Sequence, residues 1–188
     1  MSKLSEAKIL GLIGTLMMLF SGVFAGIGII IGLILVFIAI KYISEETKDK
    51  SIFDNYLMHF IFNVFAVVAV VIIFFYSIGW YNPSFFSAIE SMDFTDLNSV
   101  WNFFEPYILW WVLALIIGWI FILISALYLK KSYYSIAKYT KVHLFRTTGL
   151  VYFIGAITLI FVVGVFVIFI AKILEIIAFY SLPRKLPG

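Results

Sequence analysis

Residues 166–181 read FVIFIAKILEIIAFYS, an apolar run carrying two charges, Lys172 and Glu175. On either side the same character continues: between Arg146 and Arg184 these are the only charged residues. A bilayer-spanning helix needs about 20 apolar residues, within a range of about 17–25. The run is therefore long enough for two spans, 147–163 and 164–182, divided near Val163-Gly164 and closed by Pro183, which cannot continue a helix.

The rest of the chain has the same composition. Its 188 residues are 64% hydrophobic and 12% charged, whereas an ordinary soluble domain is about 25% charged. The apolar residues fall in uninterrupted runs instead of amphipathic stripes, the pattern of a polytopic membrane protein. Four further spans are expected at 5–24, 26–43, 51–80 and 101–134. The expected fold is all-α: a polytopic transmembrane bundle of six helices forming a single domain over 1–188. Within it, 5–43 and 146–182 form terminal hairpins, and 51–134 forms a long central helix pair with an acidic external loop at 81–105.

Local signals mark several ends. Ser5 with Glu6 is expected to cap the first helix, and Ser51 followed by Asp54 has the form of a capping box. Asn82-Pro83 ends the third helix. The N-terminal MSKLSEAKILGLIG has an acidic residue between its lysines and runs on past a normal signal-peptide core, so it reads as a mature helix.

The charges set an orientation. With six spans, every Lys and Arg except Lys172 falls on one side of the membrane, and the loop holding Glu90, Asp93, Asp96 and Glu105 carries no basic residue. The positive-inside rule makes the basic side cytoplasmic, with both termini in the cytoplasm of a multi-pass cell-membrane protein and the acidic loop outside. Trp80, Trp101, Trp110 and Trp111 flank that loop as an interfacial belt, and Lys130, Lys131, Lys138 and Arg146 mark the opposite lipid interface.

A shift of 138 residues superimposes the two terminal hairpins. Lys8 falls on Arg146, Gly11 on Gly149, Gly26 on Gly164 and Tyr42 on Tyr180. Each unit reads as a basic residue, a helix, a glycine turn, a second helix and an aromatic exit, and both run the same way across the membrane. Gly22, Gly26, Gly28 and Gly32 add spacing that allows close helix approach.

KLSEAKILGLIG, IGLILVFIAIKYISEET, LKKSYYSIAKYTKVHLFRTTGLVYFIGAI and IIAFYSLP together resemble a family of archaeal integral membrane proteins catalogued as domain-of-unknown-function family 996. The resemblance covers nearly the whole chain. It implies the membrane assignment and supplies no catalytic residue. At one point the sequence departs from expectation: Lys141 stands where Gly would follow a helix-closing Thr, which argues against a left-handed cap there.

The absence of Cys excludes disulfides, thiolate metal sites and cysteine nucleophiles. HExxH, P-loop and GxSxG patterns are missing, and His59 and His143 lie on different segments. No catalytic residue, cofactor, metal or nucleic-acid partner is expected. The candidate polar site is Lys172 and Glu175, which share a helix face, joined by His59 and Asn63 from the third span. The expected function is non-enzymatic, as a homo-oligomer or a subunit of a membrane complex with the lipid bilayer and a protein as partners. The alternative is a small transporter or channel using that polar site.

Overall fold

Lipid offers backbone N–H and C=O groups no partners, so a chain of apolar runs must satisfy them within helices. A computed structural model describes residues 2–20, 27–79 and 83–187. These form α1 (Lys3–Leu19), α2 (Ile27–Thr47), α3 (Lys50–Ile78), α4 (Pro83–Glu90), α5 (Leu97–Thr140), α6 (His143–Thr158) and α7 (Val163–Tyr180), with a 3-10 turn at Leu159–Phe161. Among the described residues, five helices, α2, α3, α5, α6 with its 3-10 extension, and α7, are long and apolar enough to cross a membrane. The first expected span corresponds to α1, with 17 helical residues. The expected helix count of six is thus approximate, because the acidic connection contains the additional short helix α4. The Gly22 and Gly26 positions, Trp80 and the Asn82 end signal lie outside the described residues.

Two compact units emerge, Met1–Phe62 with Leu123–Gly188, and Asn63–Ile122. In the first, α1 packs on α2, α6 on α7, and α1 on α7. Its core is Leu4, Ala7, Val36, Ile40, Ile43, Ile52, Leu129, Tyr133, Ile136, Phe145, Phe179 and Leu182 with their buried neighbours. That core lies at the basic end of the helices. The charged residues Lys3, Lys41, Glu45, Lys48, Asp54, Lys131, Lys138 and Arg146 are exposed there, beside the exposed rings of Tyr134 and Tyr180. Toward the other end the exposed residues of α2, α6 and α7 are apolar: Ile29, Ile30, Ile154, Ile157, Phe166 and Ile170. Water drives burial at the basic end, whereas lipid is as apolar as Leu and gives no such drive at the other.

Small residues permit the closest helix contacts. A Cβ on Gly32 would lie 2.5 Å from the Gly14 carbonyl oxygen, and one on Gly149 would lie 3.1 Å from the Lys130 Cα. A Cβ on Gly11 would collide with the Phe179 ring. Gly28 is buried. The chain ends meet here too: Ser2 Oγ donates to the Arg184 carbonyl at 2.5 Å, and Lys8 Nζ donates to the Leu182 carbonyl at 3.4 Å while lying 4.9 Å from the Tyr180 ring centroid. A cation just past the C-terminus of α7 is favoured by the helix dipole.

The second unit holds residues 63–78 of α3 and 97–122 of α5 together with α4. Gly118 lets α5 approach Val70, Phe65 packs on Phe121 with ring centroids 6.0 Å apart, and Trp111 donates its indole N–H to Ser77 Oγ at 3.1 Å while stacking on Phe74. Phe85 of α4 packs on Phe103 and Tyr107 of α5. Two acidic residues of the connection, Asp93 and Asp96, serve its turns. Asp93 Oδ1 accepts from the Thr95 amide at 2.9 Å and its hydroxyl at 2.6 Å, and Asp96 Oδ1 accepts from the Asn98 amide at 3.0 Å at the start of α5.

Four local expectations are corrected. The cap of α1 is Ser2, whose Oγ accepts from the Ser5 amide at 3.3 Å, and the cap of α3 is Asp49, whose Oδ1 accepts from the Ser51 amide at 2.9 Å. Both caps precede the expected residues because the polar residue before the helix offers its oxygen to the free first-turn amides. Lys141 does adopt a positive φ of 60°, and so does Lys48 at 57°. Each follows a Thr whose hydroxyl bonds back four residues, Thr140 to Ile136 O and Thr47 to Ile43 O, both at 2.8 Å. The same Thr-Lys corner therefore joins α2 to α3 and α5 to α6, and the unbranched Lys stem tolerates the left-handed backbone. The fourth correction concerns the second hairpin, where Gly164 is not the turn residue. Val162 makes the turn with φ 63°, and Gly164 sits in the first turn of α7, where a Cβ would strike the Gly155 oxygen and Leu159 backbone.

A β-branched residue at positive φ stores about 1–3 kcal/mol. Val162→Gly should raise the thermal unfolding midpoint of the detergent-solubilised protein, whereas Gly164→Ala, whose methyl meets backbone that cannot rotate away, should lower it. In the acidic connection, the hydrogen bonds from Thr95 hold the Asp93 carboxyl below its ordinary pKa. Protection of the Thr95 amide, read by hydrogen exchange, should persist above the usual carboxylate range and be lost as pH falls through the lowered value.

Candidate functional site

The polar site is assembled from four helices of the first unit. On α7, Lys172 and Glu175 are one turn apart, and Lys172 Nζ donates to Glu175 Oε2 at 2.7 Å. The Lys172 side chain is 20% exposed and that of Glu175 only 2%, so the carboxylate is the buried partner. Its second oxygen, Oε1, accepts from the Tyr133 hydroxyl of α5 at 2.5 Å. A desolvated charge is tolerable when paired and fully hydrogen-bonded, and both carboxylate oxygens are used here.

The depth of the pair follows from α5. Its apolar stretch ends at Leu129, and Lys130 and Lys131 follow. Tyr133 comes after them, so Glu175 is held from a residue past that stretch. The charges belong to the basic end of the bundle, although the sequence of α7 alone puts them near the middle of an apolar run. Tyr133 packs edge-on against Phe145, and Phe145 against Phe179, with ring centroids 5.4 and 5.2 Å apart. Phe179 in turn occupies the space that Gly11 leaves open.

His59 reaches this region through one intermediary. Its ring centroid lies 5.8 Å from that of Tyr152 on α6, and Lys172 Nζ lies 5.8 Å from the Tyr152 ring. Its imidazole and backbone are engaged by Ser125 of α5: Nδ1 lies 2.6 Å from Ser125 Oγ, and that hydroxyl donates to the His59 carbonyl at 2.9 Å. Nδ1 carrying the proton satisfies both contacts at once, because the single Ser hydrogen can then go to the carbonyl. Asn63 lies one turn further along α3, half-buried, in the second unit.

Among the described residues every buried side-chain N or O atom has a hydrogen-bond partner, and no group of three or more His, Asp and Glu is placed to hold a metal. The arrangement is a buried ion pair with a phenolic third member, joined through a ring to a Ser-bound His. Tyr133, Ser125, Tyr152 and Tyr56, which packs on His59, are absent from the sequence-derived site. One signal for Tyr133 exists: Leu129, Ser132, Tyr133, Ile136, Ala137 and Thr140 form a buried stripe through the basic segment at helical spacing.

The expected interfacial residues occupy several settings. Trp101 is exposed, Trp110 packs on Tyr76 with centroids 5.5 Å apart, and Trp111 is half-buried. Lys130, Lys131, Lys138 and Arg146 each lie over an aromatic ring, those of Phe153, Tyr128, Tyr139 and Tyr134, respectively.

Breaking the pair from one side should be worse than removing it. Lys172→Met leaves a buried carboxylate without its cation and should cost about 3–5 kcal/mol, and Tyr133→Phe about 1–3 kcal/mol. Lys172→Met with Glu175→Leu should recover most of the loss in thermal unfolding. A double variant as unstable as Lys172→Met alone would contradict this account.

A family described as "Protein of unknown function (DUF996)" matches residues 28–173. An uncharacterised protein of Methanocaldococcus jannaschii, MJ1644, is 37% identical over 184 residues, covering 98% of this chain and 96% of the relative. No solved structure matches the chain. The chain belongs to the DUF996 family.

Proposed function

We propose that this DUF996 membrane protein is non-enzymatic and works by assembly, as a homo-oligomer or as a subunit of a larger complex in the cell membrane. The basic end faces the cytoplasm with both termini, and the acidic connection lies outside. The observation that carries the assembly reading is the surface of the second unit. Only 6% of the apolar window of α3 is buried within the chain. Beyond the lipid-compatible residues, Phe86, Phe94, Leu97 and Trp101 are 54–80% exposed, and all four precede the apolar stretch of α5 that begins after Glu105. Apolar side chains in lipid need no cover, but exposed ones at the watery edge of a membrane favour a protein partner. The inward-satisfied Lys172–Glu175–Tyr133 group supports a locking role over a transport step.

One observation favours the transport alternative. Lys172 lines an open cleft of about 340 Å³ with Met18, Leu19, Ile29, Val165, Ile168 and Phe169, so one charged group has access to the bundle's flank.

The chain has no Cys, which makes introduced cysteines unambiguous reporters. Val67→Cys, at a position 63% exposed, should cross-link in native membranes, and native mass spectrometry should return a fixed stoichiometry. A monomeric, partner-free species with no cross-link would defeat the assembly reading. Ion flux in proteoliposomes, abolished by Lys172→Met with Glu175→Leu, would then establish the alternative.

A further inference from the structure

Where α5 and α6 approach at Gly149 and Lys130, each helix places a cation over a ring of the other. Lys130 of α5 lies over Phe153 of α6, 5.0 Å from its ring centroid. Arg146 of α6 lies over Tyr134 of α5, at 5.5 Å. Each cation is held by the quadrupole of a ring on the opposite helix, which attracts it without neutralising it. Among the described residues neither makes an ion pair. The nearby Glu175 carboxylate is committed to Lys172 and Tyr133.

The surrounding charge is uneven. From Lys130 to Arg146 the chain carries Lys130, Lys131, Lys138, Lys141 and Arg146 and no acidic residue. The α2–α3 corner, also at the basic end, mixes Lys41, Lys48 and Lys50 with Glu45, Glu46, Asp49 and Asp54. The positive-inside rule predicts basic residues on one side of the membrane but does not account for two of them, Lys130 and Arg146, each lying over a ring of the opposite helix. Toward the apolar end, Leu127 lies one turn from Lys130, and Leu150 and Ile154 lie one and two turns from Arg146; all three are exposed at 42–45%. Cationic groups with aromatic supports, next to exposed aliphatic side chains at the membrane boundary, match both halves of one kind of molecule.

We propose that the α5–α6 seam is a binding site for an anionic phospholipid, whose headgroup phosphate is taken by Lys130 and Arg146 and whose chain lies along Leu127, Leu150 and Ile154. The recognition is electrostatic at the head and apolar at the tail, and aromatic clamping pre-orients the cations so that less side-chain freedom is lost on binding. The site is independent of the assembly reading.

The test uses the full-length protein in nanodiscs of phosphatidylglycerol mixed with phosphatidylcholine, released and weighed by native mass spectrometry. The wild type should retain phosphatidylglycerol in preference to phosphatidylcholine. Lys130→Gln with Arg146→Gln should reduce that retention roughly tenfold or more, given the contribution of each basic residue near a membrane surface. Lys48→Gln with Lys50→Gln removes the same charge from the α2–α3 corner and should leave it unchanged. Lys130→Arg with Arg146→Lys keeps the charge and should preserve retention, which separates lost binding from lost folding. Equal loss in the corner variant would reduce the effect to net charge and overturn the site, as would the absence of any preference for the anionic lipid.

Discussion

Phe179 can lie against α1 only because position 11 has no side chain, and the cross-section at the basic end of the bundle depends on that contact. The ring of Phe179 supports Phe145, Phe145 supports Tyr133, and Tyr133 delivers its hydroxyl to Glu175. Four helices, α1, α5, α6 and α7, are thereby tied through a single line of packed groups. The contact is close-packed, so a larger residue at position 11 cannot be absorbed without displacing a buried ring whose neighbours are themselves fixed.

The place of this contact reflects a change of solvent along the helices. At the basic end water surrounds the bundle, and burying apolar surface provides a driving force. Most charged side chains there lie outside and the largest buried side chains are aromatic and aliphatic, with Glu175 the buried exception. Further along, lipid replaces water and the same side chains gain nothing by turning inward. Apolar exposure on α2, α6 and α7 is thus the expected state of a lipid-facing surface. The exposed aromatic residues of the acidic connection do not fall under that explanation, which is why they bear on assembly.

The ion pair illustrates how depth is set by neighbours. Read along α7 alone, Lys172 and Glu175 interrupt an apolar run. Read across the bundle, they sit beside the first turns of α5 that follow its apolar stretch. A paired charge near the interface is less costly than an isolated charge at the bilayer centre, and the Tyr133 hydroxyl completes the coordination of the carboxylate. Sequence periodicity identifies the pair because the two residues are local. It cannot identify Tyr133, which is 42 positions away.

Much of the architecture was legible in the sequence for a physical reason: lipid allows an apolar run few conformations, so run length and charge placement are nearly sufficient to read out helices and their order. Gly11, Gly32 and Gly149 and the basic segment before α6 could also be singled out in the sequence, whereas Gly14, Gly118 and Gly155 were not. What depended on tertiary structure was everything set by a partner distant in sequence. Which oxygen caps a helix, which side chain fills the space beside a glycine, and whether Lys141 turns left-handed are decided by competing contacts of similar strength. The reciprocal placement of Lys130 and Arg146 over each other's helices has the same origin. It exists only where α5 and α6 cross, and the position of that crossing is set by packing around Gly149.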